Sequence, residues 1–303
     1  MMDTIRRSNT YRANREQFFP LNFFVPNPFA NSAILVDNSS WSIYHGGEFE
    51  LRRRFAGGLT FQANYTFSKV LTDTTFLTSQ QEFQTYRSLL NRSRDRFRAA
   101  FDVRHSFSMN FLYPLPFGRG KWLGANVHPI VDKFIGGWIV TGFTRWSSGA
   151  PFTVFSGRIT TGAFIGEPAV LRNMTMEEFK KQIGVFRTEN GVFWLNPNSG
   201  LLTIDPVTGA SRAVFCTPGQ TTPCFDHPGP GENGNMPWLG FDLPRFFNQD
   251  LSIIKETPIP SISERFNFQI RFEFFNAFNT PNFVGASNDI DNSNFGQLTS
   301  QVD

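Results

Sequence analysis

Apolar and polar residues alternate strictly along several stretches of about ten residues. In the strongest case, residues 265–276, one parity carries Phe266, Phe268, Ile270, Phe272 and Phe274, and the other carries Asn267, Gln269, Arg271 and Glu273. A period of two predicts an extended strand with one apolar and one polar face. Either a protein core or lipid could cover the apolar face.

The same period predicts five further strands, at 41–53, 59–68, 101–113, 136–154 and 245–255. The alternation is complete at 59–68, and at 101–113 His105 is the one polar residue on the apolar parity. The facing of 136–154 stays open, because Trp138 and Trp146 occupy one parity while Ile139 and Phe143 occupy the other.

The connections between these strands alternate between short and long. Gly- and Pro-rich turns follow the first, third and fifth strands, whereas long polar segments follow the second, fourth and sixth. Outer-membrane barrels have this arrangement, with short periplasmic turns at one end and long extracellular loops at the other. We therefore predict an all-β fold, an antiparallel transmembrane β-barrel segment of about six to seven strands. Residues 1–40 would be an extracellular loop remnant and 41–303 part of the barrel.

The longest connection, 155–243, is predicted to have structure of its own. Thr175 and Glu178 have the spacing of a capping box, and Phe179 follows at helical spacing, so we expect one short helix here. Cys216 and Cys224 are close in sequence and predict a single local disulfide in an oxidising compartment. Two cysteines cannot supply a four-ligand zinc site.

Composition favours a barrel over a helical membrane protein. Charged residues make up only 17% of the chain, and 37 residues are phenylalanine. The chain has no apolar run of about 18 residues, and its mean hydropathy is −0.26. Polar residues lining a barrel lumen would lower the mean hydropathy in this way.

The charge pattern does not indicate nucleic-acid binding, because the net charge is only +3. Arginines are bunched at two places, which are Arg52, Arg53 and Arg54, and then Arg92, Arg94, Arg96 and Arg98. They could form a solvated rim, or their guanidinium groups could pair with the phosphates of anionic lipid or lipopolysaccharide.

We expect no enzymatic activity, cofactor or metal. Asp102, His105 and Ser106 could suggest a catalytic triad, but in a strand Asp102 and His105 point to opposite faces. A G-x-G-x-x-G pattern at 229–234 is not placed between a strand and a helix, as a dinucleotide site requires.

Several phrases together resemble a known family. They are VPNPF at 25–29, YTFSK at 65–69, FDVRHSF at 101–107, LPFGRGK at 115–121, GGW at 136–138, SGAPFTV at 148–154, GVFWLNP at 191–197, FEFFNAFNTPNF at 272–283 and FGQLTS at 295–300. In this order they resemble the C-terminal barrel of TonB-dependent outer-membrane receptors of Gram-negative bacteria. Within that family they are most similar to the Oar-like subgroup, whose members carry a carboxypeptidase-regulatory-like domain.

The resemblance implies a barrel of about 22 strands, plugged by an N-terminal domain that the TonB complex engages. No plug, TonB-binding segment or secretory signal is recognisable, so we expect a fragment of six strands and the start of a seventh at 295–303. The expected function is active uptake of an unidentified ligand, with loop 155–243 gating or recognising it. Expected partners are outer-membrane lipid, lipopolysaccharide, the plug, the TonB complex and the ligand, but not nucleic acid.

Five polar residues are predicted to face the lumen, namely Asn64, Asn110, Gln269, Arg271 and Glu273. Two alternatives stay open. One is a secreted β-sandwich binding module with its phenylalanines in a dry core, and the other is a passive porin-like channel.

Overall fold

The structure is a computed structural model that describes residues 40–55, 57–73, 95–158, 167–229, 231–259 and 266–302. The predicted loop remnant at 1–40 lies almost entirely outside these residues, as do Arg92, Arg94 and the VPNPF motif.

The described chain consists mainly of antiparallel strands. In chain order the elements are β1 (Ser42–Arg54), β2 (Thr60–Thr72), β3 (Phe97–Arg98), β4 (His105–Pro114), α1 (Pro129–Ile135), β5 (Trp138–Ser147), β6 (Pro151–Phe152), β7 (Val170–Arg172), α2 (Met176–Lys181), β8 (Ile183–Thr188), β9 (Gly191–Leu195), β10 (Leu202–Ile204), β11 (Ser211–Ala213), β12 (Cys224–Asp226), β13 (Phe241–Asp242), β14 (Phe246–Pro258), β15 (Asn267–Phe274), β16 (Asn282–Ala286) and β17 (Leu298–Val302).

One large sheet contains all of the long strands. Its order is β1-β2-β4-β5-β14-β15, and the two-residue strand β3 pairs with the end of β2. Each long strand is antiparallel to its neighbours. β1 and β15 are its two edges, so the described residues form an open wall and do not close a barrel. This meander confirms the all-β antiparallel prediction.

The connections segregate between the two ends of the sheet, as the sequence predicted. The links 55–59, 115–137 and 259–266 join strands at one end, which we call the turn end. The links 73–104 and 148–245, together with the chain after β15, lie at the other end, which we call the loop end. Outer-membrane barrels place these ends in the periplasm and outside the cell, respectively.

The sheet is a single layer across the described residues. All eight residues of β15 are exposed, and Phe49 and Phe272 are 66% and 48% exposed. No second sheet covers these phenylalanines in the part of the chain that the structure describes. The sandwich alternative required a dry core at this place, and the described residues do not form one.

Two predicted strands are shorter than the alternation suggested. The strand predicted at 101–113 begins only at His105, because Asp102 turns back and its N–H donates to the Ala99 carbonyl at 2.9 Å. The strand predicted at 136–154 ends at Ser147. Beyond it the chain leaves the sheet, and Gly149 packs so tightly against the Leu243 carbonyl that a side chain would not fit.

Two further expectations need correction. The segment at 295–303 does not start a seventh wall strand, because β17 pairs with β16 in a separate hairpin. The chain also has two helices in its described part rather than one. α2 is the predicted helix, and its capping box between Thr175 and Glu178 is confirmed. α1 was not predicted.

The main hydrophobic core lies outside the sheet, in a unit that we call the cap. The cap comprises the described residues of 148–245 together with 282–302. Its fully buried side chains include Val154, Phe179, Phe193, Trp194, Leu195, Leu201, Phe225, Ile290 and Phe295. Two long connections at the loop end therefore fold together into one compact body.

Candidate functional site

The strand register brings the five predicted lumen residues to the same face of the sheet. In an antiparallel pair, residues directly opposite each other share a face. Asn64 lies opposite Ser108, and Asn110 opposite Gln62. At the far edge, Gln269 and Glu273 lie opposite Glu256 and Ser252 of β14, and Arg271 lies between them on the same face. β14 pairs with β5, and β5 pairs with β4. Followed across these pairs, the face of Ser252 and Glu256 is the face of Asn110.

We call this side the polar face. It carries Glu48, Glu50, Gln62, Asn64, Thr66, Ser106, Ser108, Asn110, Arg145, Asn248, Asp250, Ser252, Glu256, Gln269, Arg271 and Glu273. These residues come from β1 and from five further strands. They share one face because of how the strands pair, which cannot be read from any single strand.

Amide and carboxylate groups pair across neighbouring strands of the polar face. Gln62 Nε2 donates to Glu50 Oε1 at 2.9 Å, and Gln269 Nε2 donates to Glu256 Oε1 at 2.9 Å. Arg271 and Glu273 form an exposed ion pair along β15 with an N–O distance of 3.5 Å. These groups are accessible and present both donors and acceptors, so this surface can be wetted or can contact a polar solute.

The opposite side, which we call the apolar face, settles the facing of β5. Trp146 lies opposite Phe107 and Phe247, and Trp138 opposite Lys255, so both tryptophans lie on the apolar face. Ile139 and Phe143 are on the polar face. The register also places on this face Phe49, Leu51, Phe61, Ala63, Tyr65, Phe67, Met109, Phe111, Tyr113, Val140, Leu251, Ile253, Phe268, Ile270, Phe272 and Phe274, together with the polar residues Arg53, Thr144, Gln249 and Lys255.

Gly142 explains part of the irregular pattern in β5. Its position on the apolar face is covered by the Phe111 ring, which a Cβ atom at Gly142 would contact at 2.3 Å. Leu251 approaches from the other side, at 3.0 Å from the same point. An aromatic ring from the neighbouring strand therefore fills the space that the glycine leaves open.

His105 is a polar residue on the apolar face, and the structure shows how its ring is satisfied. It hydrogen-bonds through Nδ1 to the Tyr65 hydroxyl at 2.8 Å. Its ring also lies 5.1 Å from the Phe67 ring and 6.2 Å from the Trp146 ring. This cluster lies towards the loop end, where aromatic residues of barrels meet the membrane interface.

The polar face contains an apolar patch. It consists of Leu112, Ile139, Phe143 and Ile254, from three adjacent strands, β4, β5 and β14. Leu112 and Phe143 are each 41% exposed, whereas Ile139 is half-buried and Ile254 is only 7% exposed, so two of the four side chains are open on this face. A purely water-filled lumen gives no reason for such a patch, whereas a protein element packed inside the barrel would cover it.

Trp194 lies at the centre of the cap and connects its two segments. The indole is fully buried between Phe152 and Phe295, with ring centroids 4.9 and 5.6 Å away. Its Nε1–H donates to the Ser287 carbonyl at 3.0 Å. Ser211 Oγ donates to the Phe295 carbonyl in another bond between the segments. The sequence did not reveal this joint core.

Arg98 attaches the third long connection, 73–104, to the cap. Its Nε donates to Asp102 at 2.8 Å, and its Nη1 donates to Asp242 of the cap at 2.7 Å. Burial lowers the pKa of Arg98, but the hydrogen bonds to these two carboxylates outweigh burial and raise the pKa above its ordinary value. Asp102 is fully buried and also accepts the N–H of Val70 at 2.7 Å. All three long connections are thus linked.

Arg52, Arg53 and Arg54 lie at the opposite end of the wall from Arg96 and Arg98, the two described members of the second bunch. Arg52, Arg53 and Arg54 end β1 at the turn end, and the Arg53 guanidinium lies 4.3 Å from the Phe55 ring centroid. Arg96 and Arg98 lie at the loop end. They do not form one common basic rim.

The predicted cysteine pair is joined as a disulfide between Cys216 and Cys224, with a sulfur–sulfur distance of 2.09 Å. It closes a loop of the cap next to β12.

Among the described residues, no group of three or more His, Cys, Asp or Glu side chains converges as a metal site would require. The helices of the described part are all too short or too polar to cross a membrane.

A single sheet with a phenylalanine-rich apolar face, a polar reverse face and loops sorted by length between its ends is the wall of an outer-membrane β-barrel. Comparison with protein families supports this class directly. The family model described as "Outer membrane beta barrel domain" matches residues 4–303, and the chain belongs to that family. It is accordingly an outer-membrane protein. Comparisons with curated proteins and with solved structures give no match.

Proposed function

We propose that this chain is part of a TonB-dependent receptor of the Oar-like subgroup, which takes up a ligand across the outer membrane. The observation that carries the proposal is the apolar patch on the polar face, in a sheet whose loop end carries a folded cap. The sequence motifs support the same family, since they occur in its order from 25–29 to 295–300. Active uptake needs a wall, a structure that fills the lumen and an extracellular recognition element.

The polar face would line the lumen in this proposal. Asn64, Asn110, Gln269, Arg271 and Glu273 would then contact water, the plug or the passing ligand. The patch around Phe143 would pack against the plug, because apolar side chains are buried favourably at about 25 cal/mol per Å². The energy for uptake would come from the TonB complex acting on that plug.

The cap would recognise the ligand outside the cell. It is preformed, with its own core, and it is connected to the wall by two segments and through Arg98. Such a body can hold binding side chains in fixed positions, which limits the entropy lost on binding. Outer-membrane lipid and lipopolysaccharide would surround the apolar face.

We propose transport rather than catalysis for this chain. Asp102 is engaged by Arg98 and by the Val70 N–H, whereas the His105 ring is bonded to Tyr65. The two side chains therefore do not form the hydrogen bond that a triad needs.

A passive porin-like channel is the competing function, and conductance distinguishes it. The intact outer-membrane protein is inserted into planar lipid bilayers and its current is recorded at high KCl. A plugged receptor should give no stable open steps, while a trimeric porin measured alongside should give them. Stable open steps from this protein would exclude the plugged receptor.

Dependence on TonB is tested separately by binding. The purified periplasmic domain of TonB should be retained by the intact protein immobilised in detergent, and not by the porin control. If TonB is retained by neither protein, the TonB-dependent part of the proposal is wrong, even when the channel is closed.

A further inference from the structure

The connection 115–137 between β4 and β5 is a folded element at the turn end. Gly118 N–H donates to the Leu123 carbonyl at 2.9 Å, and Leu123 N–H donates to the Pro116 carbonyl at 2.9 Å. Asp132 of α1 accepts the Arg119 N–H at 2.5 Å. Gly118 has a φ of +109°, a conformation that favours glycine at this position. Helix α1 and the preceding loop therefore hold each other in place.

This folded connection exposes large apolar side chains. Trp122 is 84% exposed, Phe134 is 74% exposed and Ile130 is 63% exposed. The cost of leaving such residues in water is large, since fully burying one apolar side chain is worth about 1.5–3 kcal/mol. Three of them on one short ordered element indicate a surface that something covers.

The element lies beside the apolar face of the wall. The Trp138 side chain is on that face, and its Nε1–H donates to the Phe134 carbonyl of α1 at 2.9 Å. A wide-open cavity of about 640 Å³ lies between the strand ends and the connection, with Leu115, Leu123 and Trp138 in its lining. The exposed apolar surface of the connection is thus continuous with the lipid-facing surface of the wall.

The same connection also carries basic side chains. Arg119, Lys121 and Lys133 are all exposed on it. Tryptophan and phenylalanine beside lysine and arginine are typical of elements that lie in the headgroup region of a membrane. The basic groups can reach lipid phosphates while the apolar side chains enter the acyl boundary.

We propose that the 115–137 connection is an interfacial membrane anchor that lies in the periplasmic leaflet of the outer membrane. Trp122, Ile130 and Phe134 enter the boundary between headgroups and acyl chains, and acyl chains cover the cavity beside Trp138. The occupant is lipid rather than a plug, because a plug would lie against the polar face. The anchor fixes the depth of this part of the wall.

Spin-label accessibility tests the anchor. Trp122→Cys and Phe134→Cys variants of the intact protein are labelled with a nitroxide and reconstituted in phosphatidylethanolamine and phosphatidylglycerol liposomes. Cys216 and Cys224 of this chain are in a disulfide and should not react, and any further cysteine of the intact protein is replaced by serine. Val207→Cys is the control, because Val207 is 90% exposed in the cap. Each variant must retain the heat-modifiable migration of a folded barrel before it is measured.

The expected result is that labels at 122 and 134 collide more often with oxygen than with a water-soluble nickel chelate, because oxygen concentrates in the membrane. The label at 207 should show the reverse. If all three labels show the same nickel accessibility, the connection lies in water and the anchor is excluded. If labels at 122 and 134 are shielded from both reagents, protein covers them and the anchor is equally excluded. Neither result depends on TonB or on uptake.

Discussion

Phe272 is a single residue that illustrates why the apolar face needs apolar side chains. It lies on the apolar face, opposite Ile253 near the middle of β14, and is 48% exposed. Its neighbours in sequence, Arg271 and Glu273, lie on the polar face. A phenylalanine that faces lipid is in a favourable medium, whereas a charged side chain at the same place is not.

Phe272→Arg should destabilise the barrel by about 2–4 kcal/mol, because it places a charge near the bilayer midplane. The matched control is Gln269→Arg on the polar face of the same strand, which should change stability by no more than about 0.5 kcal/mol. Guanidinium titrations of both variants in liposomes measure the free energy of unfolding. Equal losses from the two variants would show that the two faces have been assigned to the wrong solvents.

Arg98 is a second residue whose effect can be predicted. Arg98→Met removes the partner of the fully buried Asp102, and leaving such a charge unpaired costs about 3–5 kcal/mol. Arg172→Met is the control, since the Arg172–Asp226 pair is exposed and worth about 0–1 kcal/mol. Thermal unfolding of both variants gives the comparison. Similar melting temperatures for the two variants would contradict the role of Arg98 in neutralising the buried Asp102.

At the level of elements, α2 forms where its sequence places it because its start signal is local. Thr175 accepts the Glu178 N–H at 3.2 Å, and Glu178 accepts the Thr175 N–H at 2.9 Å. Phe179 is fully buried in the cap core. The helix therefore combines a local capping signal with one anchoring side chain.

Thr175→Ala should destabilise the cap by about 1 kcal/mol at neutral pH, because it removes the hydroxyl that caps the helix. Ser199→Ala serves as a polar-to-alanine control elsewhere in the cap. Hydrogen exchange of the amides in Met176–Lys181 measures the loss. Unchanged exchange in the Thr175 variant would show that the box does not stabilise α2.

The contribution of Glu178 should depend on pH. Hydrogen bonds from the backbone and side chain of Thr175 lower the pKa of Glu178 below its ordinary value. The stabilisation is therefore present above the pKa of the unfolded chain and is lost as the pH falls through the lower pKa of the folded chain. The difference in melting temperature between the native protein and Glu178→Gln should shrink on acidification. A difference that stays constant down to acidic pH would contradict this coupling.

At the level of the whole molecule, the wall and the cap are stabilised by different means. The wall has a single layer, and its apolar face depends on lipid. The cap has a buried core of its own around Trp194, assembled from two connections that are distant in sequence. A substitution in the core of the cap should therefore unfold the cap without unfolding the wall.

Trp194→Ala should destabilise the cap by about 3–5 kcal/mol while the wall stays folded. Limited proteolysis should then cut within 148–245, and the remaining protein should keep its heat-modifiable migration on gels. Val207→Ala is the control, because that side chain has little contact to lose. Simultaneous loss of both bodies in Trp194→Ala would show that the cap and the wall unfold as one unit.

The open edges at β1 and β15 concern the whole molecule as well. In lipid, an unpaired strand edge leaves backbone groups without hydrogen bonds, so a stable wall requires partners on both edges. The described residues do not supply them. Closure by further strands is what the proposed receptor barrel provides.

Much of the wall could be predicted from the sequence because its signals are local. A strand of the wall needs one face for lipid and one for water, so a period of two is present within each strand, as in Phe266–Phe274. The capping box of α2 is equally local. Each of the five predicted lumen residues lies on the polar parity of its own strand, which the sequence shows, and the pairing register then places these parities on one face.

The remaining features were decided by contacts between distant residues. The facing of β5 depends on Phe111 covering Gly142, and β17 pairs with β16 rather than with the wall. The cap core depends on Trp194 meeting Phe295, about a hundred residues away in sequence. The sequence by itself determined which strands could face lipid and water, since that is a property of each segment. Only the tertiary structure decided which segments meet, because burial and register depend on partners that no local pattern specifies.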